Sequence, residues 1–292
     1  EETIKAVYGE VKVRLSEPLV MTLNGRYDQI EYDYTDHLDS DNAGDKVFKV
    51  PSYRLGMNYA LQDNLDLYAN ASTGFRTPTA RQLFVGISSP SQQVDPNPNL
   101  KAEKSVNLEI GLRASTELFG EPLDLDVAIF QIERQDYINP SSGIYSTGSD
   151  NIYENVGDVR NRGLELSIQS DQQKTFSWDL AYTYLNAKYT KYDNFNLQLE
   201  PIGGACPAGA TPVTSGWPPS VTNCLVAYDN AGNHIPRTPE HKLNLIARYR
   251  PTPNWTITGE MDTSSSYYAD EINQEKISGH TVFNLLVNDA RA

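Results

Sequence analysis

Apolar and polar residues alternate through this chain in segments of ten or more, joined in turn by a very short connector and a long one. The short connectors are Ser16-Glu17-Pro18, Leu61 to Asn64, Glu117 to Pro122, Asp171 to Lys174 and Arg250 to Asn254. The long ones are Thr35 to Lys46, Thr77 to Ala102, Tyr137 to Gly157, Tyr189 to Pro239 and Tyr267 to Ser278. Tight turns on one side and long loops on the other are the pattern of an antiparallel up-and-down transmembrane β-barrel. The two classes never swap order, so the short connectors are predicted to be periplasmic. The long ones, centred near Pro90, Tyr145 and Trp217 among others, are predicted to face outside the cell.

Eleven strand segments are expected: 4–15, 19–34, 47–60, 64–74, 103–115, 123–136, 158–170, 175–188, 240–249, 254–266 and 279–288. Within them the residues sort onto two faces with period two. Phe176, Trp178, Leu180, Tyr182 and Tyr184 share one face, and Ser177, Asp179, Ala181 and Thr183 the other. Leu164, Leu166 and Ile168 oppose Glu165, Ser167 and Gln169 in the same way, and Leu123, Leu125, Val127 and Ile129 oppose Asp124 and Asp126. A soluble sandwich would show the same alternation, with its apolar face packed on a second sheet. Strand length favours the membrane, because these segments reach the nine to eleven residues that a tilted strand needs to cross a bilayer. Single-chain bacterial barrels have an even strand number, so eleven suggests a piece of a larger barrel.

Composition narrows the function classes. A net charge of −14 argues against nucleic-acid binding, which needs a basic surface. Eighteen tyrosines, three tryptophans and eight phenylalanines suit interfacial girdles, though soluble sheets are also rich in aromatics. No apolar run approaches the length of a membrane-spanning helix, but averaged hydropathy is blind to strands of which only alternate residues face lipid. No Gly-x-Ser-x-Gly, His-Glu-x-x-His or phosphate-cradling glycine loop is present, and His37, His234, His241 and His280 are scattered. No enzymatic activity, cofactor or resident metal is expected. Asp39 to Asp45 resembles the start of a calcium loop, but Ala43 holds a ligand position and Val50 stands where the bidentate Glu belongs, so a solvated turn is expected. Cys206 and Cys224, the only cysteines, lie in one long loop and are read as a disulfide in an oxidising compartment, against the alternative of two free thiols.

Several short motifs then resemble the TonB-dependent outer-membrane receptors. They are Phe75-Arg76-Thr77-Pro78, Asn97-Pro98-Asn99-Leu100-Lys101-Ala102-Glu103, Tyr153-Glu154-Asn155-Val156-Gly157, Arg162-Gly163-Leu164-Glu165-Leu166 and Ile235-Pro236-Arg237-Thr238-Pro239. The resemblance implies a 22-stranded barrel in the bacterial outer membrane, closed around an N-terminal plug and importing a ferric siderophore or related metal chelate with energy from TonB. No plug segment, TonB box or terminal aromatic strand is recognised. Residues 1–292 are therefore expected to be a partial barrel domain, with plug, early strands and last strands absent and TonB reached through the missing N-terminal part. A haem or cobalamin receptor of the same family is the near alternative, and a non-transporting β module that displays loops for binding or adhesion the distant one. The stretch from Arg81 to Pro96 lacks the histidine that haem receptors carry between these motifs.

Arg76, Arg81, Arg134 and Arg237 are placed at or just beyond extracellular strand ends, where guanidinium groups suit an anionic iron chelate. Tyr137, Tyr153, Trp217, Tyr267 and Tyr268 are placed to stack on it. The competing expectation is structural: rim arginines pair with neighbouring acids, and rim tyrosines form the interfacial girdle.

Overall fold

The computed structural model describes residues 1–37, 43–89, 92–118, 120–141, 151–192, 195–215 and 218–290. In chain order its strands are β1 (Glu2–Ser16), β2 (Leu19–Tyr34), β3 (Gly44–Gln62), β4 (Leu65–Arg76), β5 (Ile87–Ser89) and β6 (Gln92–Val94). They continue with β7 (Glu103–Leu118), β8 (Glu121–Pro140), β9 (Tyr153–Ser170), β10 (Phe176–Tyr192), β11 (Asn196–Leu199) and β12 (Thr211–Ser215). The last are β13 (Ser220–Ala227), β14 (His241–Thr252), β15 (Trp255–Ser264), β16 (Tyr267–Tyr268), β17 (Lys276–Ile277) and β18 (His280–Asp289). Eleven of these form one sheet in the order β1-β2-β3-β4-β7-β8-β9-β10-β14-β15-β18, each antiparallel to its neighbours. They correspond one to one with the eleven expected segments. The small sheets β5-β6, β11-β13-β12 and β16-β17 lie inside the long connectors.

The wall is one sheet thick, and this decides between barrel and sandwich. Val7, Ile129 and Phe176 are 68%, 56% and 56% exposed, so no second sheet covers the apolar face. In water such a surface would be strongly unfavourable, whereas in a bilayer it meets lipid. Its apolar rows are in register, with Leu180 opposite Ile168 and Leu245, and Leu125 also opposite Ile168. Aromatic residues bound the band. Phe176 pairs with Tyr249 at the periplasmic end, and Tyr184 pairs with His241 at the extracellular end, where the Tyr182 hydroxyl bonds His241 Nδ1 at 2.8 Å. Beyond that level the outward face turns polar, with Lys5 near Glu31 at 3.4 Å and Arg160 paired to Glu133.

The inner face carries polar networks and two rings laid over glycines. Tyr68 stands opposite Gly111, whose missing Cβ leaves room for the ring, and its hydroxyl donates to Asp126 at 2.9 Å. Arg113 lies 4.4 Å above the same ring and bonds Asp126 at 2.8 Å. Phe130 covers Gly163 likewise. Any larger residue at either glycine would displace the ring, which is the physical reason for a glycine in the Arg162-Gly163-Leu164 motif.

Several boundaries differ from expectation. β8 and β9 run to Pro140 and start at Tyr153, and β10 runs to Tyr192, so the connectors predicted from Tyr137 and Tyr189 begin inside strands. Charged and tyrosine-rich strand ends hid these extensions, because above the membrane the lipid-facing alternation stops while the hydrogen-bond ladder does not. The connector 193–239 is not bare loop either, since it holds the sheet β11-β13-β12. Asp39 to Asn42 of the calcium-like run, Pro90, Tyr145 and Trp217 lie outside the described residues.

Candidate functional site

The buried side chains gather at the extracellular end, where connectors fold onto the inner face of the wall. One cluster joins Ile30, Tyr32, Phe48 and Val50 of β2 and β3 to Leu83, Phe84, Val94 and Leu100 of the connector 77–102. A short π-helical turn, Arg81–Val85, presents Leu83 and Phe84 to the wall, and Phe84 stacks on Tyr34 with ring centres 5.4 Å apart. Lys46 pins the same connector by donating to the Pro98 carbonyl at 2.7 Å.

At the base of this connector Arg76 and Glu103 are direct partners across the β4–β7 ladder and are hydrogen-bonded through their side chains. Glu103 is 3% exposed. Its carboxylate also accepts from Arg134 at 2.8 Å and from the Ile138 N–H at 2.9 Å. That N–H is free because β8 bulges between Arg134 and Tyr137, with Asp136 at φ 56°. The extra residues also reset the alternation, so Tyr137 comes to the same face as Arg134, which lies 4.7 Å over its ring. A second bulge, between Tyr189 and Lys191 of β10, brings Tyr189 and Tyr192 to one face with ring centres 4.7 Å apart. Tyr137, Tyr189, Tyr192 and Phe195 thus form an aromatic group at the mouth.

The motifs interlock. Asn97 donates to the Tyr153 carbonyl at 2.9 Å. Asn155 accepts from the Lys101 N–H at 2.9 Å and donates to the Lys101 and Asp136 carbonyls at 3.1 and 2.7 Å. Gly157 sits at φ 150°, and a Cβ there would strike the Lys191 backbone, so the bulge of β10 requires the glycine.

Two further connectors lock to each other over the aromatic group. Asn233 donates to the Glu271 carbonyl at 3.0 Å, and Asn273 donates to the His234 carbonyl at 2.9 Å while accepting from the His234 N–H at 2.6 Å. Glu271 in turn accepts from Asn139 at 3.3 Å, and Asn139 bonds the Tyr192 hydroxyl at 3.0 Å. The His234 ring lies 5.8 Å from that of Tyr268. Burial, then the nearby Lys188 and Lys276, push its pKa below the ordinary histidine value, and Glu240 opposes them only in part.

The predicted residues separate into three places. Arg76, Arg134 and Tyr137 meet around Glu103, and both guanidinium groups bond that carboxylate, as the structural expectation held. Arg134 is a correction in position: it stands six residues before the end of β8, not at its tip. Arg81 is exposed on the connector near Tyr153, which is buried. Arg237, Tyr267 and Tyr268 lie together: the Arg237 N–H donates to the Tyr268 carbonyl at 2.7 Å, with Arg237 at φ 58°. Lys276 adds a cation 5.8 Å from the Tyr268 ring centre. Tyr189, Tyr192, Asn139 and Glu271 went unrecognised in the sequence. The three-residue spacing of Tyr189 and Tyr192, at odds with period two, is the one signal that could have marked the bulge. Cys206 and Cys224 are joined, with Cα atoms 5.4 Å apart, and the bridge fastens the start of the connector's hairpin to β13.

A one-layer wall with a lipid-facing apolar band, aromatic borders and loops folded inward at one end is that of a transmembrane β-barrel. The chain belongs to the TonB-dependent receptor family: the family described as TonB dependent receptor-like, beta-barrel matches residues 1–289. Its members are outer-membrane transporters, not enzymes, and this barrel is placed in the bacterial outer membrane. It is 27% identical over 214 residues to the vitamin B12 transporter BtuB of Photobacterium profundum, covering 72% of this chain and 33% of that protein. To the ferrichrome outer membrane transporter/phage receptor of Escherichia coli K12 it is 23% identical over 279 residues, covering 92% and 29%. The structure of the siderophore receptor PiuA from Acinetobacter baumannii superposes with a TM-score of 0.69 at 19% identity, over 98% of this chain and 36% of that one. The chain thus spans about a third of the length of these relatives.

Proposed function

We propose that this chain forms about half of a 22-stranded receptor barrel that binds and imports a ferric siderophore or related metal chelate, energised through TonB. In this reading the plug, the TonB-contacting segment and the remaining strands belong to other parts of the full-length receptor. The observation that carries the reading is the make-up of the mouth: Arg81 beside Tyr153, and Arg237 beside Tyr268 and Lys276, set cations next to aromatic rings on inward-folded connectors. Such pairs suit a chelate that is anionic and ring-bearing. Arg76 and Arg134, held by Glu103, shape the mouth and serve the ligand through Tyr137. Trp217 is proposed as a further stacking residue.

The cobalamin relative makes a corrinoid the second reading, and the histidine-free stretch 81–96 makes haem a weaker one. Uptake of radiolabelled iron by cells carrying the full-length receptor in a siderophore-uptake-deficient background separates them. Growth on ferric siderophores, with an Arg81→Ala/Arg237→Ala variant at least fivefold slower, supports the proposal. Uptake of cyanocobalamin and not of any iron chelate would replace it.

A further inference from the structure

We propose that the outer wall of this barrel carries a site for a phosphorylated glycolipid of the extracellular leaflet, of the lipid A type. Its acyl chains lie in troughs over β4 and β1–β2, and a phosphate rests on Arg162, Arg160 and Lys188. The troughs arise because small residues interrupt the apolar band. Ala69 and Ala71 floor one of about 620 Å³, walled by Met57, Ile110, Ile129 and Leu164. Its lining also includes Gln131, Arg162 and Tyr184, which stand at the extracellular side of the band. A second trough, of about 500 Å³, includes Gly9 and Gly25, paired across β1 and β2, and shares Leu55 and Ala71 with the first. A Cβ at either glycine would meet nothing within 4 Å, so the space there is open. Each volume falls within the roughly 300–1,000 Å³ of ordinary ligand clefts.

The charge pattern says which end is which. Arg160 and Lys188 are direct cross-strand partners on the outward face, and like charges so opposed are unfavourable unless something neutralises them. Arg162, exposed and next along that face of β9, stands opposite Gln131 and Asn186, neither of them acidic. Among the described residues only Glu133 bonds into this group, through Arg160. Three cations around one acid, on a chain of net charge −14, form an exception placed just above the lipid-facing band. Guanidinium groups bind phosphate in charge-assisted, bidentate geometry, and basic sites beside apolar membrane surface bind lipid headgroups. A free phosphate would have no use for the troughs. A two-chain phospholipid would fill one of them, whereas a multi-acyl glycolipid uses both at once.

The full-length receptor, delipidated in detergent and titrated with hexa-acyl diphosphoryl lipid A, is the test, with retained lipid counted by native mass spectrometry. Dephosphorylated lipid A and phosphatidylglycerol run alongside. Lipid A should be retained with about tenfold weaker binding in Arg162→Gln/Lys188→Gln. Ala71→Leu and Gly25→Leu, which fill the troughs and leave the charge intact, should weaken it as well. Heat-modifiable gel mobility verifies that each variant is folded. Equal retention by the charge variant, or by dephosphorylated lipid A, overturns the phosphate site. Equal retention by the trough variants overturns the troughs, and phosphatidylglycerol binding as tightly as lipid A overturns the choice of lipid.

Discussion

Arg76 ends β4 directly opposite Glu103, which begins β7, and their side chains are hydrogen-bonded, so the connector 77–102 leaves and re-enters the wall at a single tied point. The two residues belong to separate sequence motifs, and their meeting gives both motifs one purpose. With Arg134 and the Ile138 N–H on the same carboxylate, the knot fixes the connector, the bulge of β8 and the position of Tyr137 together.

Replacing Glu103 with Gln should loosen this knot. Breaking a buried pair costs about 3–5 kcal/mol, and the partial exposure of both arginines brings the expected loss to about 2–3 kcal/mol. Limited proteolysis should cut the connector 77–102 faster, while heat-modifiable mobility persists. Unaltered cleavage would show that Leu83, Phe84 and Leu100 hold the connector without the ion pair.

The ring over Gly111 gives a second expectation. Gly111→Val pushes a branched side chain into the place of Tyr68 and parts its hydroxyl from Asp126. Overpacking of this kind costs about 1–3 kcal/mol, read as a lower urea midpoint for barrel unfolding. The Tyr68→Ala/Gly111→Val double variant should recover part of that loss if the clash is its source.

On the wall itself, Leu166→Arg or Leu125→Arg should impair membrane assembly, since a cation near the bilayer midplane costs about 2–4 kcal/mol. Glu165→Arg, on the inner face, should insert. Comparing the folded fraction in isolated outer membranes checks both, and equal tolerance would mean that the faces are reversed.

His234 makes the lock between the connectors 228–240 and 265–279 sensitive to pH. Its pKa is lowered in the docked state by burial first, so the undocked state binds the proton more readily. Docking is therefore unaffected above the ordinary histidine value of about 6.5 and weakens as pH falls below it, until the docked histidine is also protonated. Hydrogen exchange of residues 265–279 should speed up between pH 7.5 and pH 5, and His234→Asn should flatten that dependence.

Opening the Cys206–Cys224 bridge removes a constraint worth about 3 kcal/mol in the chain-entropy model. The Cys206→Ser/Cys224→Ser protein should still insert, because the bridge lies outside the wall. Faster proteolysis within 195–228 with unchanged heat-modifiability is the expected result.

The eleven wall strands were legible because a lipid-facing row of apolar residues repeats with period two wherever the sheet crosses the membrane. The same logic failed above the band. Gln131, Glu133 and Arg160 continue the outward row in polar guise, so β8 and β9 read shorter than they are. The bulges at Asp136 and Thr190 shift the parity that the reading relied upon, and Tyr189 and Tyr192 were lost with it. Of the predicted ligand residues, Arg76 and Arg134 turned out to bond Glu103, a buried acid announced only by its cross-strand position. Cargo was not legible, because it depends on connectors that fold by packing on the wall rather than by any period of their own.

Every wall strand pairs only with the strands before and after it in the chain. No long crossover ties distant parts of the sheet, so a hairpin gained or lost leaves the register of all others untouched. Each such step alters the girth of the pore by two strand spacings, roughly 9–10 Å along the hydrogen-bonding direction before tilt. Pore size in this architecture is in that sense a count of hairpins, set independently of whatever the connectors grasp.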